Sequence, residues 1–190
     1  MRAFVTGGGG FVGSNVTRVF ARHGATVAAP AHRRSDELGD ADATLDITDA
    51  AAVRAGVEAF RPDVVVHCAI LNDMARMQAD HTAAWDAYVG GTRHVVDAAN
   101  AVGAKVILVS TDWVFDGTQG PAPETEPPNP INTYGFLKAC SELIVREVAA
   151  HGLVARIAGV GGQSGRGHAV QAGAIPDGEP PAGAQGLHHR

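Results

Sequence analysis

The sequence predicts an α/β protein built on a doubly wound parallel sheet, and three observations carry that prediction. Short apolar runs without alternation recur at Arg2–Thr6, Ala25–Ala29, Asp63–Ile70, Lys105–Ser110 and Leu153–Ile157. Segments of helical period separate them. A glycine-rich turn, Gly7-Gly8-Gly9-Gly10-Phe11-Val12-Gly13, follows the first run and opens the first helical segment. Unbroken apolar runs are strands buried on both faces, and strands alternating with helices run parallel through right-handed crossovers. The order strand, glycine turn, helix makes the fold Rossmann-like.

Each element has its own reason. The segment Gly13–His23 is helical, with Val12, Val16, Val19 and Phe20 at helical spacing. Asp49–Phe60 has the same period. His81–Val102 reads as one long helix loosened at Gly90-Gly91. Phe136–Ala150 is helical through Leu137, Leu143, Ile144 and Val148. The length and β-branched content of the short runs separate them from buried helix segments. Two connections are long: Thr118–Asn132, rich in Pro and Glu, and everything after Gly159. Both fall near the carboxyl ends of strands, where such sheets bind ligands. Residues 1–162 form the expected nucleotide-binding domain. Residues 163–190 hold six Gly, three Pro and only Val170, Ile175 and Leu187 as sizeable aliphatics, so they read as an irregular tail.

Composition narrows the function. The chain has 190 residues, enough for one domain with a sizeable core. Its formal charge of −5 offers no grip on nucleic acid or an anionic membrane. No run approaches the roughly 18 apolar residues of a membrane span. The N-terminus reaches glycines too soon for a secretory signal. Cys68 and Cys140 lack metal-ligand spacing and read as small core residues of a reducing compartment, which makes a cytoplasmic protein the expectation. His23, His32, His81 and His94 show no convergent ligand pattern, so no metal site is expected. His67 reads as a hydrogen-bonded core residue.

The glycine turn points to a dinucleotide. Gly7 suits a tight turn with positive φ, Gly10 admits a pyrophosphate to the backbone, and Gly13 allows close helix–strand packing. The N–H groups around Phe11 and Val12, at the helix start, face the anion. No acidic residue ends the second run; His32, Arg33 and Arg34 follow it instead. These cations favour a 2′-phosphate, hence NADP(H) over NAD(H), and compete with the reading that they are a solvated loop face. Asp46 and Ile47 either approach the adenine or belong to a capping loop.

The middle of the chain carries the chemistry. Tyr134 and Lys138 lie one helical turn apart, 23 residues after Thr111. A phenol titrates near 10 and works poorly at neutral pH unless its charged form is favoured, as a neighbouring ammonium would do. Thr111, at a strand end, orients the substrate oxygen. Hydride transfer between a nicotinamide and a carbon, with Tyr134 handling the proton, follows from this set.

Together these motifs resemble the extended short-chain dehydrogenase/reductase family. Within it, Ser110-Thr111-Asp112-Trp113-Val114-Phe115-Asp116-Gly117 is most similar to the dTDP-4-dehydrorhamnose reductase branch. Thr6–Gly13, Asp46–Asp49, Arg61–Val65, Gly91-Thr92, Tyr134–Lys138 and Arg156 belong to the same match, which covers about residues 1–162. The resemblance implies reduction of the 4-keto group of a nucleotide-linked 6-deoxyhexose by NAD(P)H. It makes Thr111, Tyr134 and Lys138 the catalytic set, with Lys138 also on the cofactor. Cys68 and Ala69 join the cofactor-binding residues, and Asp112 and Trp113 become substrate contacts, in competition with a packed strand-end turn. Four departures stand out. Tyr88 and His67 each replace an asparagine, Gly161 replaces a tyrosine, and the family's C-terminal substrate domain is largely missing. A small carbonyl compound, a homodimer or a partner chain completing the site are accordingly part of the expectation. A cofactor-binding regulatory or interaction subunit, and an inactive shortened form, are the alternatives.

Overall fold

The computed structural model describes residues 1–32, 44–118 and 122–158, together with the strand residues 161–163 and 169–171. The chain divides into two units, Met1–Ala158 and Gly159–Arg190. In the first, β1 (Arg2–Thr6), β2 (Thr26–Ala28), β3 (Val64–His67), β4 (Lys105–Thr111) and β5 (Gly152–Ile157) form a sheet of order β2-β1-β3-β4-β5. All four pairings are parallel. The helices are α1 (Phe11–Arg22), α2 (Ala50–Phe60), α3 (Met74–Ala79), α4 (His81–Trp85), α5 (Gly91–Val102) and α6 (Thr133–Val148). This is the doubly wound, Rossmann-like arrangement.

Alternation along the strands divides the core. Phe4, Val65, Val106 and Leu108 pack with Val53 and Val57 of α2, Val95 and Val96 of α5, and Val145 of α6. Ala3, Val5, Val64 and Val66 face the other way, toward Val16 and Phe20 of α1. Burying a Val or Leu side chain contributes about 1.5–3 kcal/mol, so these two layers are the main stabilisation of the sheet. Caps set the helix starts. Asp49 accepts from the N–H groups of Ala51 and Ala52, and Asn132 accepts from Gly135 N.

The sequence expectation and the structure part in several places. The helix read as broken or loosened at Gly90-Gly91 is widened by a π-helical turn over Asp86–Gly90 that ends there, and both glycines keep helical angles. Gly91 is needed for space, since a Cβ there would lie 2.8 Å from the Ile47 side chain. Helix α3 was not anticipated. In the second unit, β6 (Gly161–Gln163) and β7 (Ala169–Gln171) pair antiparallel, where an irregular tail was expected from residue 163 onward. Among the described residues, no helix is long and apolar enough to cross a membrane.

Candidate active site

The glycine turn leaves β1 at the carboxyl edge of the sheet. Gly7 takes φ +70°, and a Cβ there would lie 2.8 Å from Ala69 N, at the end of β3. Gly8 sits against Ala29 O, and a Cβ on Gly13 would be 2.2 Å from Gly7 O. These three are glycines because backbone passes backbone with no room for a methyl group. Gly10 differs: a Cβ there would meet only Gly7 O, at 3.3 Å, so its outer side is open. It caps α1 with no side-chain hydrogen bond, and the first turn holds no acidic residue. The opening N–H groups of α1, those of Phe11, Val12 and Gly13, have no partner within an α-helix. An uncapped helix start behind a glycine cradle fits the pyrophosphate of a dinucleotide.

The adenine side is less developed. His32 is exposed, with Nδ1 3.7 Å from Asp46 Oδ2. Arg33 and Arg34 lie outside the described residues. The Asp46 carboxylate accepts from the backbone N–H and hydroxyl of Thr48, which, with the backbone bond foremost, hold its pKa below the usual value. Buried Ile47 packs against Gly91. Cys68 is half-buried at the end of β3, and burial pushes its thiol up to about 11.

Thr111 ends β4 and turns the chain into a short 3-10 segment, Asp112–Val114. Its hydroxyl donates to Asp112 Oδ1 at 3.1 Å and its oxygen accepts from Trp113 N. Tyr134 stands in the first turn of α6. That turn approaches the 3-10 segment closely because residue 135 is glycine: a Cβ there would be 2.1 Å from Trp113 O. Two rings meet Tyr134 edge-on, Trp113 at 5.8 Å and Tyr88 at 6.0 Å between centroids. Tyr88 fills the space between Tyr134 and Leu71 and donates its hydroxyl to Leu71 O.

Lys138 follows one turn later and is buried, with Nζ donating to Val109 O at 2.6 Å. Burial draws its pKa down to about 8, against weaker upward pulls from Cys68 and Glu142. The expectation that this ammonium lowers the phenol pKa needs correction. Burial raises the Tyr134 pKa, the Thr111 hydrogen bond works against the rise, and the Asp112 charge adds to it. The ammonium is aimed at a strand carbonyl instead.

Beneath the site lies an ion cluster absent from the sequence reading. Glu142, 1% exposed, accepts from Ser110 Oγ at 2.6 Å, and Arg156 reaches its two oxygens at 2.9 and 2.7 Å. It ties α6 to the ends of β4 and β5. Its trace in the sequence was Arg156 in the family match, but no spacing joined that residue to Glu142. Gly135 and Asn132, next to Tyr134, were the other legible signals passed over. A cleft of ≈ 780 Å³ beside β5 shares Asp112 with the site but touches none of Thr111, Tyr134 and Lys138. Among the described residues, no group of three or more His, Cys, Asp or Glu is placed to hold a metal ion.

Comparison with known proteins places this architecture. The family model of the RmlD substrate binding domain matches residues 1–172. The dTDP-4-dehydrorhamnose reductase of Streptomyces griseus is 38% identical over 166 residues, 86% of this chain and 51% of that protein. Methionine adenosyltransferase 2 subunit beta of Xenopus tropicalis is 34% identical over 146 residues, 76% of this chain and 42% of that one. Among solved structures, the Bacillus anthracis dTDP-4-dehydrorhamnose reductase in complex with NADP superposes with a TM-score of 0.72 at 27% identity, covering 83% of this chain and 53% of that chain. The chain thus spans about half the length of the curated relatives it matches. Matched by that model over 172 of its 190 residues, this chain belongs to the RmlD substrate binding domain family.

Proposed function

We propose that this chain is an NAD(P)H-dependent reductase, acting on a nucleotide-linked 4-keto-6-deoxy sugar or a related carbonyl compound. The observation that supports the reading is that α6 carries Tyr134 against the 3-10 segment begun by Thr111 and buries Lys138 against Val109 of β4, the strand that ends at Thr111, while α1 starts uncapped behind the glycine cradle. A bound nicotinamide dinucleotide supplies the hydride. The N–H groups of Phe11, Val12 and Gly13 hold the pyrophosphate, and Cys68 and Ala69 border the cradle. When the carbonyl carbon accepts the hydride, its oxygen takes the proton of Tyr134 Oη. The raised pKa of that phenol keeps it protonated at neutral pH, which is the form a reduction consumes. Thr111 orients the oxygen and, turning its one hydroxyl proton away from Asp112, hydrogen-bonds the phenolate left behind, which regains its proton from solvent. Lys138, charged below about pH 8, supplies the positive potential next to the reaction. Asp112 and Trp113 border the sugar. Residues 1–162 act as the dinucleotide domain in the cytoplasm.

NADP(H) is the preferred cofactor in this reading, supported by the His32-Arg33-Arg34 run and by NADP in the Bacillus anthracis relative. Consumption of NADPH absorbance with a dTDP-4-keto-6-deoxyhexose tests the activity. Parallel titrations with NADPH and NADH, followed by Trp fluorescence, test the preference; equal affinities would remove it. The likeness to methionine adenosyltransferase 2 subunit beta favours a second reading, a cofactor-binding subunit. Tight dinucleotide binding without turnover of any nucleotide keto-sugar would select that one.

A further inference from the structure

We propose that His67 is a positioning residue: as the Nε2–H tautomer, its ring locks the strand end that launches the glycine turn to the helix carrying Tyr134 and Lys138. His67 is fully buried in the sheet, and both ring nitrogens are engaged. Nδ1 lies 2.7 Å from Thr6 Oγ1, across 61 residues of sequence, and Nε2 lies 3.2 Å from Thr92 Oγ1.

The neighbouring bonds decide which nitrogen carries the proton. Thr92 Oγ1 donates its one proton to Tyr88 O, so toward His67 it accepts, and Nε2 is the N–H. Thr6 Oγ1 accepts from Ala69 N at 3.3 Å and gives its own proton to the bare Nδ1. The opposite tautomer would leave the Thr6 proton without this acceptor and set two oxygens, Thr92 and Tyr88, together with no proton between them. All donors therefore point one way, from Ala69 N–H through Thr6, His67 and Thr92 to the Tyr88 carbonyl. Ser141 Oγ reaches that same carbonyl at 2.9 Å from the other side and shares its one proton between it and Leu137 O, 3.0 Å away in its own helix. Ala69 abuts Gly7, and Ser141 lies on α6 three residues beyond Lys138. The line thus runs from the dinucleotide cradle through the π-helical turn to the catalytic helix. Hydrogen bonds in series polarise one another, which makes such a line stiffer than its separate links. The imidazole stays neutral throughout, since burial and the Lys138 charge hold its pKa down to about 3.

The kinetic consequence rests on the reading of Tyr134 and Lys138 above; the tautomer and the mechanical link do not. Long-range ¹H–¹⁵N correlation on the labelled full chain, without dinucleotide, is expected to show one histidine with protonated Nε2 and bare Nδ1, unchanged from about pH 5 to pH 8. An Nδ1–H ring, or a His67 that titrates in that range, overturns the assignment. His67→Leu is expected to speed amide exchange roughly tenfold at Gly7–Gly13 and in the first turn of α6 together, and to lower turnover more than it raises the Michaelis constant. His67→Gln, whose amide offers an N–H near the Nε2 position, restores most of both. Exchange that changes at the cradle alone, or Gln performing no better than Leu, refutes the coupling. Coupled exchange in a chain that reduces no keto-sugar leaves the link standing and removes the reductase reading.

Discussion

Replacing Lys138 with Met separates what this lysine costs the fold from what it contributes to chemistry. The side chain is 3% exposed, and burial takes its pKa from 10.5 to about 8. At about 1.4 kcal/mol per unit, carrying the charge at neutral pH costs roughly 3 kcal/mol. Met nearly matches the volume and removes that cost, but it loses the charged hydrogen bond to Val109 O, about 1.5–3 kcal/mol. The two offset each other, so Lys138→Met should lie within about 2 kcal/mol of the parent near neutrality. The pH dependence carries the decision. Between about pH 8 and 10.5 the unfolded lysine still holds a proton that the folded one has released. Stability from this group therefore rises with pH across that window and is lost again as pH falls through it. Urea unfolding followed by the fluorescence of Trp85 and Trp113, at about pH 7.5, 9 and 10.5, should show the difference between the proteins moving toward the parent by roughly 3 kcal/mol. His67 and Cys68 feel the Lys138 charge, but their pKa values of about 3 and about 11 lie outside this window, and the remaining titrations are common to both proteins. A difference that stays constant with pH would refute the argument that this ammonium is held in the fold against its burial. The same variant should reduce no keto-sugar at a measurable rate.

Tyr134→Phe keeps both edge-on ring contacts but removes the proton donor. Its turnover should fall roughly 10²–10⁴-fold with NADPH affinity unchanged by fluorescence titration. Gly135→Ala places a methyl group against the Trp113 carbonyl, so α6 must back away. Urea unfolding should record a loss of about 1–3 kcal/mol, and activity should fall even where the protein stays folded. Glu142→Ala strips a half-buried guanidinium and a buried serine hydroxyl of their partner; a loss of about 2–4 kcal/mol is expected, and a loss under about 1 kcal/mol would make the cluster incidental.

The strands and the glycine cradle were legible because their signals are local. Arg2–Thr6 has the bounds read from its residues, since an apolar run stops there at a glycine that must take positive φ. The start of α6 was misread because apolar period begins at Phe136. The helix begins at Thr133, where the Asn132 side chain meets Gly135 N. That difference matters, since it puts Tyr134 in the first turn of the helix, beside Thr111. Helix α3, only six residues long, offers less than two turns for a period to register. The π-helical turn leaves no mark in spacing, and Gly91, read as a weak point, is a packing site for Ile47.

Side-chain direction is where local reading stopped. Helical spacing placed Tyr134 and Lys138 on one face. It said nothing of what either meets there. The partner of Lys138 is a carbonyl 29 residues earlier, and Tyr134 meets the rings of Trp113 and Tyr88 edge-on. Each pKa direction follows from such distant neighbours and from burial, so the phenol rises where proximity to the amine alone would have lowered it. For a reductase this inversion is consistent rather than adverse. The donor of a proton must hold it until the hydride arrives, and a half-buried phenol whose pKa is raised does so across the neutral range. The charge of Lys138 then matters only once a phenolate exists to feel it.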